Sequence, residues 1–139
     1  MNKKCIQTIQ LKFTEKFGKK PLLIFSPGRI NLIGEHTDYN NGFVFPAATD
    51  KGMYAAIEKS ESNFSTVVAL DMDEQFEFNL NNLKPLENGS WKNYILGVVF
   101  EIQKKEKVIG NFNIVFKGDI PSGAGLSSSA ALENSIVFG

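Results

Sequence analysis

One short segment, residues 26–42, constrains this chain more than any other. It reads SPGRINLIGEHTDYNNG. Its Pro-Gly and Asn-Gly pairs predict turns at the two ends, and three apolar residues between them predict a short buried strand: Ile30, Leu32 and Ile33. That strand should present Arg29 at one end and a set of polar side chains at the other: Glu35, His36 and Asp38.

Such a group of side chains suits a small molecule that is rich in hydroxyl groups. Carboxylates accept hydrogen bonds from hydroxyls, and hydrogen bonds that involve a charged group are the strong ones. A capped turn with surface charges would have the same composition, because polar loops are common. The residues alone leave both interpretations open.

A second informative segment, residues 117–131, reads KGDIPSGAGLSSSAA. It passes from a predicted strand through several glycines and three serines into helix-forming residues. Glycines let the backbone approach a ligand closely, and the start of a helix offers free N–H groups and a positive dipole to an anion. The pattern favours a phosphate site, whereas the alternative is a flexible connector whose serine caps the helix. It is neither a Walker A loop nor a Gly-x-Gly-x-x-Gly fingerprint.

The hydrophobic pattern predicts an α+β domain with a mixed sheet and helices packed on one face. Apolar residues recur at helical spacing over residues 4–17 and 91–102, and Ser90 is the expected N-cap of the second helix. Strands are predicted where apolar residues run together or alternate with polar ones. These strands are residues 22–25, 43–45, 53–58, 65–70, 76–80 and 112–116, with breaks at Pro46 and Asp50–Gly52 and a hairpin turn at Asp71–Glu74.

Composition excludes several classes of protein. The 139 residues include 15 basic and 15 acidic side chains, and this balance argues against a nucleic-acid partner. The single cysteine, Cys5, excludes an intramolecular disulfide and fits a reducing compartment. No apolar run approaches the roughly 20 residues that cross a bilayer. We therefore expect a cytoplasmic protein with no membrane partner.

Together the two segments resemble a known kinase family. GRINLIGEHTDYNNGFVFPAA resembles the galactokinase signature, and IPSGAGLSSSAALE is similar to the nucleotide-binding motif of galactokinase, homoserine kinase, mevalonate kinase and phosphomevalonate kinase, the GHMP kinases. The helix that begins with WKNY is also similar to a galactokinase helix. The resemblance implies the N-terminal domain of a GHMP-type kinase and ATP-dependent phosphorylation of galactose at its anomeric hydroxyl.

The resemblance also implies roles for individual residues. Arg29 should lie beside the anomeric oxygen, where its charge stabilises the nucleophile and the transferred phosphoryl group. The sugar should be bound by four consecutive residues: Glu35, His36, Thr37 and Asp38. His36 is expected to bind rather than to act as the base, because the family uses an aspartate for that step.

The nucleotide roles fall on the second segment. The phosphates of ATP should be wrapped by seven consecutive residues: Gly123, Ala124, Gly125, Leu126, Ser127, Ser128 and Ser129. The hydroxyl of Ser129 should reach Mg²⁺. Trp91 is expected either near the adenine or in the core, since it also belongs to the apolar stripe of its helix.

The resemblance also implies what the 139 residues lack. The catalytic aspartate, a glutamate that binds Mg²⁺ and a third glycine-rich motif come later in the family. We therefore expect a partial N-terminal domain, with a sugar motif at 26–46, a phosphate motif at 118–131 and no C-terminal domain. Such a polypeptide should show negligible kinase activity by itself.

Other functions are compatible with the same residues. One alternative is a kinase for a related sugar such as N-acetylgalactosamine. Another is a non-catalytic sensor of galactose and ATP, although the intact GLSSSAAL favours an enzyme, because sensors of this kind are altered around the serine-rich loop. A general binding module would need two independent motif matches by chance.

Overall fold

The computed structural model describes residues 1–34, 36–88, 90–105, 108–121 and 123–139, and for Asp38 the backbone alone. Within these ranges the chain forms three α-helices and one five-stranded sheet. The helices are α1 (Lys3–Phe17), α2 (Lys92–Lys104) and α3 (Ser128–Val137). The strands are β1 (Leu22–Asn31), β2 (Pro46–Lys59), β3 (Ser65–Ala69), β4 (Glu74–Phe78) and β5 (Phe112–Gly118), and short 3₁₀ turns cover Asp38–Asn40 and Leu80–Asn82.

The sheet has the strand order β1-β2-β5-β3-β4. Strands β3 and β5 pair in parallel, whereas the other neighbours pair antiparallel. This arrangement confirms the predicted α+β class, the mixed sheet and the hairpin of β3 and β4. The last strand in the chain, β5, therefore lies at the centre of the sheet.

Helices cover both faces of the sheet, so the prediction that they pack on one face was wrong. Residues of β2 alternate between two hydrophobic clusters: Ala55 and Ile57 join α2 and α3, whereas Tyr54 and Ala56 join α1. The physical reason is visible in the unbroken buried run from Gly52 to Ile57. A strand that is apolar on both sides needs a covering layer on both sides.

Local sequence signals define the ends of the first two helices. The side chain of Asn2 accepts hydrogen bonds from the amides of Lys4 and Cys5, and Gly18 ends α1 in a left-handed conformation (φ 67°). The N-cap of α2 is Trp91, one residue after the predicted Ser90, although the Ser90 hydroxyl still accepts a hydrogen bond of 3.3 Å from the Lys92 amide. Both predicted helices are confirmed.

Three predictions about the strands were wrong. Residues 43–45 are not a strand, and β2 instead begins at Pro46 and runs unbroken through Asp50–Gly52. Residues 49–51 form a bulge opposite the single residue Gly28. This bulge interrupts the pairing of β2 with β1 but does not end the strand. The predicted buried strand within residues 26–42 is also not observed. Ile30, Leu32 and Ile33 are 42%, 56% and 72% exposed. The reason is that β1 lies at the edge of the sheet and ends at Asn31.

Trp91 packs in the core of this structure. Its ring centroid lies 5.5 Å from that of Phe76 and 5.3 Å from that of Phe116, both in edge-on geometry. Aromatic pairs at these distances add to the stability that burial provides. This packing agrees with the core role that the sequence allowed for Trp91, and a place near the adenine stays a prediction.

Gly97→Ala should stabilise the protein by about 0.5–1 kcal/mol, because glycine in a helix interior costs about that much relative to alanine. Gly97 lies inside α2, and a Cβ atom there would meet nothing within 4 Å. Urea unfolding of the two proteins measures the difference. An unchanged or lower free energy of unfolding would contradict the prediction.

Candidate functional site

The structure brings the two polar segments together through their backbones. The amide of Arg29, near the end of β1, donates a hydrogen bond of 3.0 Å to the carbonyl of Leu126 in the glycine- and serine-rich segment. Arg29 itself is exposed, so its guanidinium group is available to a ligand. The first segment and the start of α3 therefore belong to one surface.

The loop that follows β1 is held by hydrogen bonds within itself. The hydroxyl of Thr37 lies 2.7 Å from the Gly34 carbonyl and 3.0 Å from the Phe43 carbonyl. The carbonyl of Thr37 accepts a 2.7 Å hydrogen bond from the Gly42 amide. A hydroxyl has one hydrogen to donate, and Thr37 uses it to close this loop.

His36 has an exposed side chain, as a sugar-binding residue needs. It has a left-handed backbone (φ 60°), and its Nδ1 shares a 2.6 Å hydrogen bond with the Tyr39 hydroxyl. Glu35 lies outside the described residues, as does the side chain of Asp38, whose backbone begins the 3₁₀ turn Asp38–Asn40. The roles predicted for Glu35 and Asp38 remain predictions.

Tyr39 is a residue that sequence reasoning missed. It orients the His36 ring, and the spacing of three residues between them was the available signal. Between residues 33 and 45, several large apolar side chains are exposed: Ile33, Tyr39, Phe43 and Phe45 have exposed fractions of 72%, 71%, 100% and 63%. An apolar exposed area beside polar side chains is typical of a surface that receives a ligand or another part of a protein.

The second segment forms an open cradle before α3. Gly123 (φ 72°) and Gly125 (φ 67°) are left-handed, and a Cβ atom at either position would meet nothing within 4 Å. Ser127 is also left-handed (φ 53°), and its side chain makes no capping hydrogen bond to α3. The Ser127 side chain therefore leaves the first N–H groups of α3 to other partners, and an anion suits them.

The start of this segment is fixed to β2 by a reciprocal pair of hydrogen bonds. The Asp119 amide donates to the Gly52 carbonyl at 3.1 Å, and the Gly52 amide donates to Asp119 Oδ1 at 2.8 Å. Asp119 Oδ2 lies 3.4 Å from the hydroxyl of buried Tyr54. Burial raises the pKa of the Tyr54 hydroxyl, which therefore stays protonated and can donate to this carboxylate.

The donor set for a metal is sparse. Among the residues that the structure describes, no three His, Cys, Asp or Glu side chains cluster as metal ligands would. Ser129, in the first turn of α3, is half-buried. A serine hydroxyl can ligate Mg²⁺ where substrate phosphates and other groups supply the remaining ligands.

Comparison with known proteins decides the family. Residues 11–59 match the galactokinase galactose-binding signature, and residues 93–139 match the GHMP kinase N-terminal domain. A galactokinase from Clostridium perfringens is 43% identical over 136 residues, which are 95% of this chain. The chain belongs to the galactokinase family.

Other comparisons agree with this assignment to the galactokinases. One galactokinase from Fusobacterium nucleatum is 47% identical over 112 residues, covering 78% of this chain and 29% of that protein. The crystal structure of Lactococcus lactis galactokinase complexed with galactose superposes with a TM-score of 0.82 at 37% identity, over 92% of this chain and 34% of that one. Methanococcus jannaschii mevalonate kinase shares the fold, with a TM-score of 0.71 at 21% identity, over 85% of this chain and 38% of that one.

This galactokinase-family chain spans about 35% of the length of the Clostridium perfringens relative that it matches. The two matched regions contain the two segments that the Arg29–Leu126 hydrogen bond joins. In addition, no helix in the described ranges has both the length and the hydrophobicity needed to span a membrane.

Proposed function

We propose that this chain contributes binding residues to the ATP-dependent phosphorylation of galactose at its anomeric hydroxyl, which yields galactose 1-phosphate. The observation that carries the proposal is the hydrogen bond from the Arg29 amide to the Leu126 carbonyl. It holds a segment that matches a galactose-binding signature against a loop suited to phosphates. We also propose that residues 1–139 form much of an N-terminal kinase domain, with a sugar motif at 26–46 and a phosphate motif at 118–131, acting in the cytoplasm.

On the sugar side, we assign hydroxyl recognition to Glu35, His36 and Asp38. His36 presents an exposed imidazole whose Nδ1 is occupied by Tyr39, so its Nε2 is the atom left for the sugar. Thr37 was predicted to bind the sugar as well. Its hydroxyl hydrogen is engaged within the loop, so its contribution to sugar binding would be as an acceptor or as a support of the loop.

On the nucleotide side, we assign the phosphates to residues 123–129. Left-handed glycines with open space above them and uncapped N–H groups at α3 support this assignment. Ser129 would hold Mg²⁺, which when bound neutralises phosphate charge. The guanidinium of Arg29 would then stabilise the charge that develops on the transferred phosphoryl group.

The proposal is tested by calorimetric titration of galactose into the chain with Mg²⁺ and a non-hydrolysable ATP analogue present. Asp38→Asn should weaken galactose binding about 10-fold to 100-fold, because loss of a hydrogen bond to a charged group costs about 1.5–3 kcal/mol. The control is Asp73→Asn. Asp73 is an exposed aspartate between β3 and β4, at the edge of the sheet opposite β1.

Glucose and N-acetylgalactosamine provide the test of specificity. Selective binding of galactose, lost in Asp38→Asn and kept in Asp73→Asn, supports the proposal. Equal or tighter binding of N-acetylgalactosamine would reassign the sugar. Failure of a folded wild-type chain to bind any of the three sugars would contradict the assignment of the sugar site to these residues.

A further inference from the structure

We infer that Gly28 is a positioning residue, which sets the Arg29 guanidinium in register with the phosphate-binding loop by letting the two backbones meet. The inference rests on the proposed function for the identity of the ligands. Its structural basis is the 3.0 Å hydrogen bond from the Arg29 amide to the Leu126 carbonyl. Gly28 precedes Arg29 and is buried at this crossing.

The need for glycine here is one of space. A Cβ atom at residue 28 would lie 2.8 Å from the Leu126 carbonyl oxygen, 3.0 Å from Thr49 Oγ1 and 3.3 Å from Ile120 Cδ1. The first contact is with backbone, which cannot rotate away as a side chain can. Any larger residue would therefore push the phosphate-binding loop away from β1.

The pairing of β1 with β2 explains why the Arg29 amide turns to the loop. Pro27 pairs with Gly52, but Arg29 pairs with Ala48, so three residues of β2 stand opposite Gly28 alone. Such a bulge interrupts the ladder of hydrogen bonds and re-aims the groups beside it. The Leu126 carbonyl provides an acceptor at this point.

The loop is attached to the same pair of strands at both ends. Near its start, Asp119 exchanges two hydrogen bonds with Gly52 of β2. Near its end, Leu126 accepts from Arg29 of β1. Because Gly52 pairs with Pro27, both attachments converge on one short stretch of the sheet.

A functional consequence follows from this double attachment. Phosphate groups bound to the loop are thereby linked to the backbone from which the Arg29 side chain extends. The sugar segment continues directly from that backbone through Asn31. Nucleotide and galactose should therefore bind with positive coupling, each increasing the affinity for the other by the same factor.

The link is tested first in the ligand-free chain by nuclear magnetic resonance. We expect a scalar coupling across the hydrogen bond from the Arg29 nitrogen to the Leu126 carbonyl carbon, and slow exchange of the Arg29 amide. Gly28→Ala should speed that exchange at least 10-fold while leaving the amide of Val115, in the central strand β5, protected. Gly110→Ala is the matched control, because a Cβ atom there meets only the end of Lys59 at 3.6 Å.

The second arm measures galactose affinity with and without Mg²⁺ and the ATP analogue. In the wild type and in Gly110→Ala, the analogue should tighten galactose binding, and in Gly28→Ala this gain should fall to less than half. Any of three results would overturn the inference. These are a missing scalar coupling in the wild type, an Arg29 amide that exchanges at the wild-type rate in Gly28→Ala, and a gain in galactose affinity from the analogue that is as large in Gly28→Ala as in the wild type. Absence of ligand binding by the wild type would instead refute the proposed function, and the link would still be decided by the wild-type coupling and exchange.

Discussion

Replacing Gly34 by alanine is expected to weaken galactose binding by about 100-fold or more while the sheet and helices stay folded. Gly34 has a left-handed backbone (φ 96°), and a Cβ atom there would lie 2.3 Å from the Phe43 carbonyl oxygen and 2.7 Å from Thr37 Oγ1. Both atoms belong to the hydrogen bonds that close the loop. The added methyl group would therefore force this loop open at the point where it presents His36.

The expected size of the effect follows from two contributions. A left-handed alanine costs about 1–2 kcal/mol, and each lost hydrogen bond in the loop costs about 0.5–1.5 kcal/mol. Together they correspond to a loss in galactose affinity of about 100-fold or more. Calorimetry measures the affinity, and the amide spectrum of residues 36–44 reports the change in the loop.

Gly18→Ala is the matched control for Gly34→Ala. Gly18 is also left-handed (φ 67°), but a Cβ atom there meets nothing within 4 Å, and the residue ends α1. This variant should lose about 1 kcal/mol of stability from backbone strain alone and bind galactose as the wild type does. Wild-type affinity in Gly34→Ala would show that the loop does not need its closed form.

Phe13→Ala should remove about 3–5 kcal/mol from the free energy of unfolding, as expected for truncating a large buried side chain. Phe13 is fully buried, and its ring lies 4.8 Å from that of Phe17. It belongs to the cluster through which α1 covers one face of the sheet, with Tyr54 and Val115. Small domains have about 5–15 kcal/mol of stability in total, so this loss is a large share of the free energy of unfolding.

Urea unfolding measures this loss, and Leu11→Ala provides the comparison. Leu11 lies in the same helix but is 58% exposed, so its truncation should change stability by about 0.5 kcal/mol or less. A similar loss in both variants would mean that α1 contributes through its helical backbone rather than through its buried face.

Elements defined by local signals were predictable from the sequence. The apolar stripe of α2 begins within one residue of Ser90, and α1 ends at Gly18, so periodicity and end signals placed both helices closely. The hairpin of β3 and β4 was predictable because its alternation and its turn lie close together in the chain. Predictions failed where pairing between distant residues decided the outcome, as at the bulge of β2 opposite Gly28.

For the candidate site, too, local features were predictable and contacts between distant residues were not. The chemical character of Arg29 and of the glycine- and serine-rich loop was readable from residue types and from resemblance. Their direct contact was not, because the Leu126 carbonyl that Arg29 binds lies 97 residues further along the chain, as the numbering shows. The closure of the loop by Thr37 was also hidden, since a threonine in a polar motif looks like a ligand-binding residue until its partners are known.

The position of β5 at the centre of the sheet has a consequence for how the chain is made. During synthesis, the pair β1–β2 and the hairpin β3–β4 can form first, but each then presents an unpaired edge where β5 belongs. Open strand edges pair readily with other chains. The interval before residues 112–118 leave the ribosome is thus the period when aggregation competes most strongly with folding, and faster translation of that stretch should improve the soluble yield.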